Sequence, residues 1–219
     1  MTERVLDWRP KWDPKSFAHR LAVSPMCESL AARSSIMRKK AQWLDQGQEG
    51  ACTGFGEEHV RALSPYPQPT SDQLARDVYY LAQRNDEWEG EDYSGSSVNG
   101  AMKAARLMGL IKSWKWAINT VEARHGLSYH GAGEMGAWWW TGMFDTDGLG
   151  FIHPSGSREG GHAFAVAGYG IHHGSLAYRI ENSWGPSWGD NGGAWIKSED
   201  FHTLLTDDGE LAFPVKVRA

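Results

Sequence analysis

The chain has only two cysteines in 219 residues, Cys27 and Cys52. That is too few for a disulfide framework and favours a reducing, cytoplasmic setting. A secretory leader is not expected either, because charged residues break up the first dozen positions and leave no apolar core. No later stretch approaches the roughly 20 apolar residues that a bilayer span needs, so no membrane partner is expected. Basic residues are outnumbered, 22 Lys and Arg against 27 Asp and Glu, for a net charge of -5. The one basic run, Arg38-Lys39-Lys40, is short enough to be a solvated helix face, and no nucleic-acid partner is called for. The pair His172-His173 has no third ligand at metal spacing, so neither a metal nor a cofactor is expected. The length suits one sizeable core and hence a single domain over 1–219.

Tryptophan, by contrast, is plentiful. Twelve residues are Trp, and their plain reading is core and groove wall, ahead of carbohydrate binding by Trp138-Trp139-Trp140. Three separated segments carry the chemistry: Gln46-Gly47-Gln48-Glu49-Gly50-Ala51-Cys52, Gly161-His162-Ala163, and Glu181-Asn182-Ser183-Trp184-Gly185 with Trp188-Gly189. A free cysteine alone is most often a small buried hydrophobe. A cysteine followed far downstream by a histidine and then an asparagine reads instead as a thiol nucleophile, its base and the base's orienter. Cys27 lacks such a setting and reads as structural.

The glutamine six residues before Cys52, the glycines between them, the aromatic Phe55 and the Asn182-Ser183-Trp184-Gly185 run resemble the papain-like cysteine peptidases, in the compact bacterial or phage form without a prodomain. The resemblance implies an α+β, two-lobed fold with an N-terminal helical lobe, a C-terminal antiparallel β lobe and the active-site cleft between them. It implies Cys52 as nucleophile, His162 as base and Asn182 as orienter, with Trp184 covering the His–Asn bond. Gln46, with the Cys52 backbone N–H, would form the oxyanion hole; Gln48 fits that role less well. An extended peptide would pair with Gly95-Ser96, and Val98 and Ala163 would wall the main specificity pocket. Peptide or protein substrates follow, cleaved through a thioester, with the Cys52–His162 pair resting as thiolate and imidazolium.

Some positions depart from the family pattern. A family cysteine is replaced by Glu49, which stands near the thiol and would raise its pKa, and one glycine of the usual pair is Ser96, which would narrow the groove. These departures keep a second reading open, a weak or inactive peptide-binding module, virion-associated if the chain is viral. A third keeps the thiol but passes the acyl group to an amine, as a transferase or ligase.

Val5–Arg9 resembles the opening strand of a papain-like domain and lies unusually far ahead of Cys52, so Pro10–Trp43 reads as an insertion, with a helix over Met26–Ala41; together they fall in 1–45. No inhibitory prosegment is expected. Periodicity and punctuation place the other elements. Helices are predicted over Cys52–Leu63, from a Thr70/Gln73 capping box to Leu81, and over Ser97–Met108, giving a helical lobe over 46–118. A short helix to Arg124 opens the β lobe, 119–219. Strands follow over Gly136–Trp140, His162–Tyr169, Leu176–Asn182, Gly193–Lys197 and Glu210–Val217, with a hairpin at His172–Ser175 and a helix over Glu199–Leu205 capped by Ser198.

Overall fold

The computed structural model describes residues 4–11, 18–23, 35–36, 43–63 and 67–216. Five helices occur among them: α1 (Cys52–Ala62), α2 (Asp72–Gln83), α3 (Val98–Leu107), α4 (Thr120–Tyr129) and α5 (Ser198–Thr206). Seven strands form one antiparallel sheet: β1 (Ser35–Ile36), β2 (Ile111–Ala117), β3 (Gly133–Trp140), β4 (Arg158–His172), β5 (Ser175–Glu181), β6 (Gly193–Lys197) and β7 (Glu210–Lys216). The order is β2-β7-β3-β4-β5-β6, with β1 paired to β4. Helices gathered first and an antiparallel sheet second make this an α+β architecture.

The helical half is built around α1, all of whose residues are buried. It lies between β4 and α2, an arrangement that small residues permit: a Cβ at Gly54 would stand 2.1 Å from the Ala75 carbonyl oxygen. Its buried Glu58 is answered within the helix by Arg61. The α2 cap is Ser71, whose Oγ accepts from Leu74 N at 3.1 Å, and not the expected Thr70. Ser71 holds the extended backbone a cap requires, and Gln73 turns forward to Asp77 at 2.9 Å instead of reaching back, so no capping box forms. Ser97 caps α3 through Gly100 N at 2.9 Å. At α4 the cap is reciprocal: Asn119 Oδ1 accepts from Glu122 N while Glu122 Oε2 accepts from Ile118 N.

Four further expectations change. Residues Ile111–Ala117, inside the span expected as a helical lobe (46–118), form β2, on the sheet edge beside β7. A register shift between Ile111 and Ser113 breaks its period of two. Ser198 is the first residue of α5, not its cap; that helix has no side-chain cap and instead places Glu199 and Asp200 against its positive end. Most of the helix expected over Met26–Ala41 lies outside the described residues, but Ser35–Ile36 within it are strand, paired to Tyr169 and Gly168. Val5–Arg9 is extended but joins no sheet; Trp8 makes a single parallel bridge to Ser96.

The sheet's core is aromatic. Trp139 packs edge-on against Trp184 and Phe164, with ring centroids 5.1 and 5.7 Å away, and Tyr178 stacks on Phe201 at 3.8 Å. Each such side chain contributes about 1.5–3 kcal/mol through burial. The β4–β5 hairpin turns through His173 and Gly174, both at positive φ (44° and 78°), as a two-residue connection should.

The close α1–α2 approach gives a direct check. Gly54→Val should lower the unfolding free energy by about 1–3 kcal/mol in urea titration, because the new side chain meets the α2 backbone and no flexible group there can yield. An unchanged midpoint would mean the helices do not pack this tightly.

Candidate active site

Residues 43–52 form the approach to α1. Asp45 accepts the Gly47 amide at 2.9 Å and bridges to Trp184, and Gln46 N donates to Ser183 O at 3.0 Å. This zipper fixes the start of α1 against the segment after β5. Gly50 is required by crowding, since a Cβ there would lie 2.1 Å from Asp7 Oδ2 and 2.2 Å from Ser94 Oγ. Cys52 then sits at the first position of α1, fully buried. The helix start has no side-chain cap, so its first amides are not claimed by a neighbouring side chain.

His162 lies on β4 opposite Ala137, also fully buried. Its Nε2 is 2.7 Å from Asn182 Oδ1, and that oxygen also accepts from Ser183 N at 2.8 Å. An oxygen that accepts from a backbone amide is the carboxamide's carbonyl oxygen, so the imidazole donates from Nε2 and Nδ1 is left as the basic nitrogen. Nδ1 has no hydrogen-bond partner among the described residues. The next residue, Ala163, brings its backbone amide to the Cys52 thiol, which places the nucleophile beside the histidine's end of β4. Trp184 lies against the imidazole, ring centroids 4.7 Å apart, and stacks on Phe144 at 5.8 Å.

Gln46 is buried with every side-chain atom engaged. Its Oε1 accepts from Ser183 Oγ at 2.6 Å, and its Nε2 donates to Glu49 O at 2.9 Å and Val5 O at 3.3 Å. Gly95 stands at φ 88° with its amide on the Tyr79 hydroxyl at 3.0 Å. Ser96 does not narrow the groove: its Oγ turns into the helical half and donates to Asp86 at 2.7 Å, while its carbonyl faces the groove and accepts from Arg9 N at 3.0 Å. Val98 and Ala163 are both buried in one apolar cluster with Cys52, Met102 and Trp8.

The electrostatics differ from the expected charged pair. Burial pushes the Cys52 thiol up to about 12, against the Ala163 and Asp7 backbone amides that favour its thiolate. Burial likewise pushes His162 down to about 4, more than the Asn182 hydrogen bond restores. In a crevice this dry the neutral thiol and neutral imidazole are the favoured forms, because neither ion has water around it. Glu49 is not the acid that acts on the thiol; it is paired with Arg76 at 2.6 Å. The nearby acids are Asp7 and Glu134.

Glu134 and Glu210 carry no sequence signal beyond a lone acid in an apolar strand. Glu134 is fully buried, with neither carboxyl oxygen hydrogen-bonded among the described residues, and burial, Glu57 and Glu210 hold it protonated well above the usual range. Glu210 is pushed up to about 8 by burial, against the Trp8 indole N–H that it accepts at 3.1 Å. No group of three or more His, Cys, Asp or Glu side chains that could hold a metal occurs among the described residues, and no described helix is long and apolar enough to cross a membrane.

Residues 141–206, which include His162 and Asn182, match the papain family cysteine protease profile. The fold is similar to xylellain, a cysteine protease from Xylella fastidiosa, with TM-score 0.74 at 16% identity over 100% of this chain and 99% of that one. In sequence the chain is similar to cathepsin B of Dictyostelium discoideum, 40% identical over 64 residues, which are 29% of this chain and 20% of that protein. It is also 24% identical to cathepsin B-like cysteine proteinase 6 of Caenorhabditis elegans, over 69% of this chain and 41% of that protein. The chain spans less than half the length of the curated relatives it matches.

The buried acids set a pH dependence with a definite sign. Folded Glu210 keeps its proton to about pH 8, whereas the unfolded side chain loses it near 4.5, so the folded form binds more protons in between and loses stability as pH rises. His162 acts in the opposite sense but only below its ordinary value of 6.5. Chemical denaturation should therefore show stability falling by on the order of 2 kcal/mol or more between about pH 6.5 and 8, and Glu210→Gln should reduce that slope while leaving the part that Glu134 and Glu58 contribute in the same sense. A profile that rises across this interval would contradict the assignment.

Proposed function

We propose that this chain, which resembles the papain-like cysteine peptidases in its fold and in the sequence of its sheet-forming half, hydrolyses peptide amide bonds with Cys52 as nucleophile. The observation that carries the reading is the Asn182–His162 bond at 2.7 Å, which leaves the imidazole with its proton on Nε2 and a free basic Nδ1 at the thiol's end of β4.

The chemistry follows from that tautomer. Nδ1 takes the thiol proton as Sγ attacks the substrate carbonyl, and the carbonyl's electron pair moves onto its oxygen. That oxyanion accepts hydrogen bonds from the Cys52 backbone N–H and from Gln46 Nε2. Support for Gln46 comes from Val5, whose own carbonyl oxygen already sits on this amide at 3.3 Å. As the carbon–nitrogen bond breaks, the leaving amine takes the proton from Nδ1, and a thioester remains on Cys52. Water then gives a proton to Nδ1 and attacks the thioester, releasing the acid and regenerating the thiol. Trp184 keeps bulk water off the Nε2–Oδ1 bond throughout, so the ring holds one tautomer. Because both partners are neutral when buried, proton transfer accompanies attack instead of preceding it.

Incubation with a peptide library and mass spectrometry of the products tests the reading. Hydrolysed peptides are expected, lost in Cys52→Ala and in His162→Ala. Gln46→Ala should lower kcat by about 10²–10³ with little change in KM, since its donor acts on the transition state. Joined peptides would replace hydrolysis by acyl transfer to an amine, and an intact library with a normally reactive Cys52 would reduce the site to a peptide-binding groove.

A further inference from the structure

The groove beside Cys52 is occupied by the chain itself. Residues 4–9 cross it in extended form, tied on both sides. Val5 O accepts from Gln46 Nε2 at 3.3 Å, Asp7 Oδ2 accepts from Ser94 Oγ at 2.9 Å, Trp8 N donates to Gly161 O at 2.8 Å and Arg9 N donates to Ser96 O at 3.0 Å. Backbone groups of both walls are thereby satisfied, as they are when a peptide adds a strand to an open edge. Among the groups that cover the Cys52 thiol is the backbone amide of Asp7.

The side chain that anchors this segment is Trp8, 2% exposed. Its indole fills a slot that exists because Gly136 and Gly161 lack side chains: a Cβ at Gly136 would stand 2.1 Å from the indole nitrogen, and one at Gly161 2.0 Å from the Trp8 carbonyl oxygen. Val98, Met102 and Ala163 close the apolar sides. At the far end lies Glu210, accepting the indole N–H at 3.1 Å and the Val98 amide at 3.3 Å. An apolar slot ending in a buried carboxyl discriminates by the hydrogen bond it can add: a purely aliphatic side chain fills the walls but leaves Glu210 with the Val98 amide and without the second donor that the indole supplies.

We propose that the pocket formed by Gly136, Gly161, Val98 and Ala163 and floored by Glu210 selects substrate side chains that present an N–H at the end of a flat apolar body, tryptophan above all, and that Trp8 is its resident competitor. Glu210 is then a specificity-determining residue, and residues 4–9 mask the site until they withdraw. The inference rests on reading this groove as the peptide-binding cleft of the proposed hydrolase. It also departs from the expectation that the chain has no inhibitory prosegment. Indole is favoured over a guanidinium because the slot is flat where the glycines lie, and because burial favours the neutral acid at Glu210 even with Lys103, paired to Glu87 at 2.9 Å, already acting on it.

Alkylation of the full chain tests this without requiring turnover. Iodoacetamide labelling of Cys52, followed by peptide mapping to separate it from Cys27, should be slow in the wild type and tenfold or more faster in Trp8→Ala. In that variant acetyl-Ala-Trp-Ala-amide should slow labelling at concentrations at least tenfold lower than acetyl-Ala-Ala-Ala-amide, and the added Glu210→Leu change should remove the preference. Trp8→Phe keeps the ring but loses the N–H, and should label severalfold faster than wild type; it decides the matter if Trp8→Ala fails to unfold cooperatively. Unchanged labelling in the folded variants would overturn the masking, equal protection by both peptides would overturn the selection, and stronger protection by acetyl-Ala-Arg-Ala-amide would overturn the preference for indole. A chain that labels and protects as expected but cleaves nothing would sink the hydrolase reading alone.

Discussion

Exclusion of water from the space between Cys52 and His162 is the constraint on which the rest depends. A thiol and an imidazole in water exchange a proton at modest cost, but here each is fully buried and each is held in its neutral form. The half-charge of the α1 terminus and the Ala163 amide act toward the thiolate, yet neither matches the hydration an ion forfeits. A helix start facing a histidine is therefore insufficient for an activated pair. The occupant of the groove decides, because it determines whether water or a polar substrate reaches the thiol.

The two halves of the molecule are registered by polar contacts at this same place. Gln46 and Ser183 exchange a backbone and a side-chain hydrogen bond, Asp45 bridges to Trp184, and Asn182 is fixed by Gly192 O through its own amide. Segments far apart in sequence thus meet with little slack. The aromatic stack behind them, Trp139, Trp184, Phe144 and Trp188, fills the space beneath the imidazole and sets its plane. Position of the base and stability of the sheet are carried by the same rings.

Legibility in the sequence followed locality. The three motif segments were readable because glycine spacing and the Asn-Ser-Trp-Gly run are local patterns, and α1 and α3 start within a residue of where their spacing puts them. Strand β2 was not, because a bulge scrambles its alternation, and the α2 cap was misplaced by one residue because Thr70 and Ser71 offer the same chemistry. The orientation of Ser96 depends on Asp86, ten residues away, and no propensity encodes it. Least legible of all was the path of Val5–Arg9: the family resemblance made it an opening strand, and only contacts with Gln46, Ser94, Ser96 and Gly161 tell it where to lie.

The buried acids gain a reason from that path. Glu134, Glu57 and Glu210 act on one another in a buried setting, and burial outweighs the pull of Lys103 on Glu210, so protons stay on the Glu134 and Glu210 carboxyls. Trp8 relieves Glu210 by supplying a neutral donor, which a cation would do only by forcing ionisation beside two further acids. The same cluster that disfavours a charged thiol thus favours an uncharged guest in the neighbouring slot. Reactivity and selectivity are in this way set by one shared condition, the dryness of the floor beneath Cys52, and an occupant that brings water with it would alter both together.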